Sequence, residues 1–258
     1  MAVAQGVIAA LFGLCIGSFL NVVIWRLPRG GSLVKPERSE CPSCHHVLGK
    51  VDLLPLLSYL MLRGKCRHCG AAISARYPLV EGMTCALYVA CFFRFGWSSA
   101  LIASAALVSV LVVCVLVDID HMLVLDEVLI AGGIAAILMN AAFSALCSWQ
   151  DMLLGIVAGA APLALVALAA GKITGQRAMG GGDIKFMAMA GAFLGWQNAL
   201  LALVLGSVGG GLVLSALLAA KKISLHRRVP FIPMLAGGAA LALFFGKALL
   251  GWYLGRFT

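Results

Sequence analysis

The run "AMGGGDIKFMA", residues 178 to 188, sets Asp183 behind three consecutive glycines and ahead of an apolar stretch. A carboxylate there has an ordinary structural use, because a residue preceding "IKFMAMAGAFLGW" can cap the helix that follows. Capping accounts for Asp183 but not for Gly180, Gly181 and Gly182, since glycine weakens ordered segments and is best explained by a tight turn or a close approach. Gly180 and Gly182 are therefore candidate positions where a substrate backbone, or a neighbouring helix, comes alongside the carboxylate. More acids stand in "VCVLVDIDHMLVLDEVLI". Asp118 follows a long apolar run, and Asp120 lies about 200° further round a helix, so only one of the two can face inward. Two readings of Asp118 stay open: a surface residue at a helix end, or an intramembrane ionisable group facing other helices. Asp126 and Glu127 open the next apolar segment and read as an N-cap and a first-turn acid. If Asp118 and Asp183 met, two carboxyls about 3 Å apart would tend to share one proton, the arrangement that activates water against a peptide carbonyl.

The second chemical pattern is C-x2-C-x21-C-x2-C, formed by Cys41, Cys44, Cys66 and Cys69. Two such knuckles can supply four thiolates to one tetrahedral Zn2+. Four thiolates leave no coordination position for water, so the site holds a fold and runs no reaction. Disulfides are disfavoured if this segment faces a reducing cytosol, and a single redox pair would not need a second C-x-x-C. His45, His46 and His68 flank the knuckles and could replace a cysteine, though solvated turn residues are the simpler reading. Cys15, Cys85, Cys91, Cys114 and Cys147 lie in apolar runs, where a thiol behaves as a small hydrophobe.

The elements that must position these groups are membrane helices. Of the 258 residues, 62% are hydrophobic and 11% charged, with a mean hydropathy of +1.04, beyond any ordinary soluble domain of this length. The expected fold is an all-α polytopic membrane protein of about eight transmembrane helices, near 3–25, 79–95, 99–117, 124–145, 152–171, 184–196, 198–220 and 231–254. The sixth is too short to cross a bilayer of roughly 30 Å, so it is a half-helix or is joined to its neighbour by a kink. Residues 1–25 lack a signal peptide's basic start and cleavage site and read as a retained helix, with Trp25 and Arg26 as interfacial anchors. Residues 26–78 read as a small cytoplasmic zinc-binding domain between the first two helices, and 79–258 as the membrane-embedded domain carrying the acids. Of the 19 Lys and Arg residues, 16 fall within Arg26–Arg76, Lys172–Lys185 and Lys221–Arg228, which places those segments in the cytoplasm. The net charge of +9 is thus a feature of topology, with membrane lipids and no nucleic acid as partners. Glu37, Glu40, Asp52 and Asp151 need no function; Asp151 suits the start of a span.

Several of these motifs occur together in one known family. "GSFLNVVIWRLP", the paired knuckles, "LLPLLSYLMLRGKCRHCGAAISARYPLVE", the spacing from Asp118 to Asp126, and G-x-G-D at 180–183 with "GAFLGWQ" after it resemble the bacterial type IV prepilin peptidases. The resemblance covers most of the chain. It implies an intramembrane aspartic endopeptidase of the bacterial inner membrane, with Asp118 and Asp183 as the catalytic pair. It would remove the basic leader of type IV prepilins or pseudopilins at the cytoplasmic face. It also implies methylation of the new N-terminus with S-adenosylmethionine as methyl donor. Leu125 stands where the family usually has proline.

If the resemblance holds, helix dipoles assign the roles: Asp183 before a helix N-terminus starts as the charged base, and Asp118 at a helix C-terminus is the protonated partner. Lys185 reads as a phosphate-facing anchor, with a substrate contact as the alternative. Asn21 and Glu81 are candidates for the methyl-transfer or substrate site. The rival class is a proton- or cation-coupled transporter using the paired acids. Against it, the acids sit toward one membrane face and no inverted repeat is visible.

Overall fold

A computed structural model describes residues 2–34, 39–49, 51–175, 180–221 and 229–256. Glu37, and the basic residues Lys35, Arg38, Lys50, Arg177, Lys222, Arg227 and Arg228 that entered the charge count, lie outside the described residues. Among the described residues eight α-helices follow in order: α1 (Ala2–Arg26), α2 (Leu57–Met61), α3 (Arg76–Phe95), α4 (Ser99–His121), α5 (Asp126–Phe143), α6 (Trp149–Thr174), α7 (Gly181–Ala219) and α8 (Ile232–Leu254). Seven of them, all but α2, are long and apolar enough to cross a membrane. The eight apolar stretches become seven helices because the sixth and seventh share α7, which breaks at Gly195 with φ 75° and ψ 170°. Those angles are open only to glycine at low cost. The piece of α7 before the break is about 20 Å long by helical rise, less than a hydrocarbon thickness.

The chain forms two compact units, Met1–Gly96 and Trp97–Thr258. In the first, α1 packs on α3 through two glycines one turn apart, Gly13 against the Cys85 and Thr84 backbone and Gly17 against Glu81. Small residues at this spacing let two helix backbones approach in lipid, where there is no hydrophobic force between helices. The boundary drawn at 79 from composition falls just inside α3, which begins at Arg76. At the end of α1, the Trp25 ring carries the guanidinium of Arg29 at 3.8 Å, so Arg29 takes the anchoring place expected of Arg26.

In the second unit α4 is the central helix, with Leu107, Val108, Val112, Val113 and Val117 almost fully buried. Its start is capped by Ser98, whose Oγ accepts from Leu101 N–H. α6 and α7 make the closest approach: Gly155 and Gly159 of α6 face the carbonyls of Gly191 and Met187, and a methyl group at either position has no room. Gly206 and Gly238 do the same between α7 and α8. At the start of α6, Ser148 Oγ accepts from Asp151 N–H at 3.1 Å and donates to the Asp151 carboxylate at 2.7 Å, so Asp151 has the structural use expected of it.

Candidate active site and metal centre

Asp118 sits in the last turn of α4, only 7% exposed, while Asp120 is exposed. The inward choice between the two acids thus falls on Asp118. A buried carboxylate needs hydrogen-bond donors, and Asp118 finds them at the start of α8. Ile232 N–H donates to its Oδ2 at 3.0 Å, and Phe231 N–H donates to it as well. Asp118 therefore ends its own helix but rests on the positive end of another. The dipole argument that made it the protonated partner is corrected on this point: both acids lie at helix N-termini, and the helix ends no longer distinguish them.

Asp183 lies in the first turn of α7, half-buried. It is not the N-cap expected from the sequence. The N-cap is Gly180, with no side chain to offer, and Asp183 reaches back from two residues inside the helix to accept the Gly180 N–H. That is the acid's half of a capping box. Asp118 lies within electrostatic reach of Asp183.

The three glycines divide in use. A methyl group on Gly182 would collide with Val124, from the link between α4 and α5, so this position is cleared for a neighbouring part of the chain. Gly181 has open space, and Gly180 faces only the Asp183 carboxylate. Of the two candidate substrate-approach glycines, Gly180 is thus open and Gly182 is packed against the chain itself.

Asp126 is likewise no N-cap. Leu125 holds that position, and Asp126 in the first turn of α5 takes Lys185 Nζ on both oxygens, at 2.9 and 2.8 Å. Lys185, read as a lipid anchor, is paired within the protein. Sequence reasoning missed Asn140, which is fully buried in α5. Its Nδ2 donates to the carbonyls of Ala192 and Phe193, at 2.8 and 3.3 Å, and its Oδ1 accepts from Leu146 N–H at 3.0 Å. Those two carbonyls belong to the turn that Gly195 breaks. An amide inside an apolar helix is costly in lipid without partners, and that cost was the available signal. An apolar cavity of about 260 Å³ lies beside Phe231, lined by Gly210, Gly211, Leu214, Pro230 and Met234 among others.

In the first unit, the Sγ atoms of Cys41, Cys44, Cys66 and Cys69 all lie within 4.8 Å of one another, and Cys41 and Cys69 are 3.9 Å apart. Tetrahedral thiolates at about 2.3 Å from Zn2+ stand roughly 3.8 Å from each other, so the four are spaced to hold such an ion. Backbone geometry pre-sets it. His45 N–H returns to Cys41 O and Gly70 N–H to Cys66 O, with short antiparallel bridges Glu40 to Val47 and Lys65 to Ala72. His45 and Gly70 hold equivalent places with φ of 55° and 71°. The N–H groups of Cys44 and Ser43 draw the Cys41 thiol down to about 6. Cys44, although the His46 N–H favours its anion, is held at about 11 by lost solvation and the neighbouring thiols. A thiol cluster that can hold one negative charge but resists the next is one that a divalent cation completes. The histidines stay outside it: His46 and His68 stack on each other with ring centroids 3.5 Å apart, and His45 pairs with Glu40. Asn21 and Glu81 are engaged structurally, Asn21 donating to Tyr77 O and Glu81 accepting the Leu56 N–H at 2.8 Å.

Residues 11–95 match the Bacterial Peptidase A24 N-terminal domain, and residues 105–215 match the Type IV leader peptidase family. A prepilin leader peptidase/N-methyltransferase of Myxococcus xanthus is 41% identical over 203 residues, covering 79% of this chain and 60% of that protein. The protein of the same name from Aeromonas hydrophila is 37% identical over 275 residues, 96% of this chain and 93% of the relative. That from Bacillus subtilis is 35% identical over 246 residues, 95% and 96%. The chain thus spans three fifths of the Myxococcus relative but more than nine tenths of the other two. No solved structure matches it.

Proposed function

The chain belongs to the type IV leader peptidase family, and we propose that Asp118 and Asp183 are the catalytic pair of its peptidase. It is a multi-pass membrane enzyme that cleaves the leader from type IV prepilins and carries N-methyltransferase activity. The observation that carries the pair is that Asp118, buried, lies within electrostatic reach of Asp183 sixty-five positions on and within one unit, while Asp120 beside it faces out.

The chemistry follows from one shared proton. The ionised carboxylate removes a proton from water as its oxygen attacks the scissile carbonyl, and the protonated carboxyl hydrogen-bonds the carbonyl oxygen. The acquired proton then passes to the leaving amine as the C–N bond breaks. Each acid has backbone N–H groups fixing its orientation, from Phe231 and Ile232 for Asp118 and from Gly180 for Asp183. The open space at Gly180 and Gly181 suits an extended substrate strand beside the pair. The concentration of basic residues in alternate loops supports a cytoplasmic position for it, in an inner membrane, with pseudopilins as further substrates of the same kind.

The four cysteines would hold Zn2+ as a structural ion, saturating its coordination and stabilising the island at 26–78. S-adenosylmethionine would supply the methyl group. Among the described residues lining the apolar cavity beside Phe231 none is charged, and we assign S-adenosylmethionine no residues. The transporter reading finds no support, as the matched relatives are leader peptidases.

Incubating the purified, metal-loaded chain with a prepilin and S-adenosylmethionine, then weighing the product's first residue by mass spectrometry, tests both activities. The expected product lacks the leader and carries one methyl group. Intact prepilin beside folded enzyme would remove the peptidase assignment; a cut but unmethylated product would remove only the transfer.

A further inference from the structure

The mechanism gives no role to Asp126 and Lys185, an ion pair between the starts of α5 and α7. They join residues 59 positions apart with both carboxylate oxygens engaged. Their placement follows a path that starts at Asp118. The Asp118 carbonyl accepts the Met122 N–H at 2.9 Å, turning the chain into the short link 122–125. Val124 of that link fills the side-chain space of Gly182, one residue before Asp183. Asp126 then grips Lys185, two residues after it. Around the helix Lys185 lies about 200° from Asp183, so its ammonium holds the opposite face of the turn and leaves the catalytic carboxylate un-neutralised.

We propose that Asp126 and Lys185 are positioning residues whose ion pair fixes the first turn of α7, and Asp183 with it, at the reach from Asp118 that cleavage requires. The proposal rests on the reading of Asp118 and Asp183 as the catalytic pair. The turn needs such a clamp because it is built of Gly180, Gly181 and Gly182, and neither of the first two has a neighbouring element against it. Glycine at a helix start loses more conformational freedom on ordering than any other residue. The pair is half-exposed, with side-chain exposures of 59% and 56%, so it adds little to overall stability. Its effect belongs in the rate, where about 1 Å of misplacement can cost as much as a hundredfold.

The test is prepilin cleavage by the full-length enzyme in detergent, comparing D126N, K185M, the double D126N/K185M and K185R, with D118N and D183N in parallel. Each neutral single variant should lower kcat by about 10- to 100-fold with KM within about twofold. The double should be no worse than the worse single beyond about threefold, because the second change removes a partner already lost. K185R should keep at least about a third of the activity, since a guanidinium also pairs bidentately. Losses that multiply in the double, or K185R as poor as K185M, would overturn the clamp. A raised KM with kcat intact would also overturn it, moving Lys185 to a substrate or lipid contact. Melting lowered by more than about 10 °C in either single variant would overturn it too, since the pair would then be holding the fold. Cleavage surviving in D118N or D183N is a different failure, that of the catalytic pair itself.

Discussion

Ile232 donates its backbone N–H to Asp118 Oδ2 at 3.0 Å, fastening the C-terminal turn of α4 to the first turn of α8 across 114 residues. The contact solves two local problems at once. A carboxylate buried at the negative end of its own helix gains donors, and α8 gains an acceptor for N–H groups that have no partner within the helix. It also means that Asp118 has a structural task in addition to the catalytic one proposed for it. Any substitution there must be read with both in mind.

Asp118→Asn separates the two tasks. The amide oxygen of asparagine can still accept from Ile232, so melting should stay within a few degrees of the parent, whereas a neutral amide can neither take a proton from water nor share one with Asp183. Prepilin cleavage is expected to fall at least about a hundredfold. Asp183→Asn should do the same, and Asp120→Asn should leave cleavage within about threefold. Initial rates on a purified prepilin decide it: loss in Asp120→Asn alone would mean that the outward acid is the one used.

Gly182→Ala places a methyl group where Val124 already packs, so the link 122–125 or the first turn of α7 must move. Cleavage should drop by about tenfold or more, since the displaced turn carries Asp183. Trimming the neighbour with Val124→Ala in the same chain should restore part of the rate, because it removes the nearest methyl although the Val124 Cβ stays close. Gly181→Ala, with open space around it, should leave the packing of α7 unchanged. No recovery in the Gly182→Ala, Val124→Ala pair would show that the glycine serves something other than this contact.

How much of this was legible beforehand depended on whether the signal was local. Apolar length alone locates the membrane helices, and the C-x-x-C spacing locates the four-cysteine cluster, because a knuckle is set by a handful of adjacent residues. The geometry of 180–183 is less legible in the sequence. Asp183 and Asp126 both resembled N-caps, yet the helices begin earlier than the acids suggest, at Gly181 and at Asp126 itself. The roles of Asp118 and Lys185 depend on Ile232 and Asp126, partners 114 and 59 positions away. No periodicity marks such pairs. The break at Gly195 was half visible, as a helix too short to span, but its φ of 75° could not be told from the many other glycines in α7.

Removing metal from the cysteine cluster should unfold the island without unfolding the aspartate-bearing unit. Cys66→Ser takes away one of four ligands, and a domain with so few apolar residues has little else to hold it. The expected result is loss of about one bound Zn2+ per chain in elemental analysis and new proteolytic cuts within residues 39–75. Cys91→Ser, which alters a buried thiol in α3 outside the cluster, should keep the metal. Full metal content in Cys66→Ser would require another ligand, with His68 the nearest candidate in sequence.

Asn140 offers the sharpest structural test, because its amide does the work of a missing helical turn. With Gly195 out of helical geometry, the carbonyls of Ala192 and Phe193 lose the N–H groups that would bond them four residues on. The Asn140 Nδ2 supplies both, and its Oδ1 closes the start of the α5–α6 link through Leu146 N–H. Asn140→Leu fills a similar volume and removes every one of these bonds, leaving the Ala192 carbonyl unpaired, at a cost of about 1–3 kcal/mol, and the Phe193 carbonyl with only the weak Cys147 thiol at 3.7 Å. Membrane hydrogen bonds often measure at the low end of such ranges, so a total loss of about 2 kcal/mol is expected in detergent unfolding. Asn140→Gln, which keeps the amide on a longer arm, should lose less. The break lies about 18 Å of helix from Asp183, so the zinc content should be untouched and any fall in cleavage should track the melting point. Cleavage lost at full stability would instead give the break at Gly195 a part in the reaction.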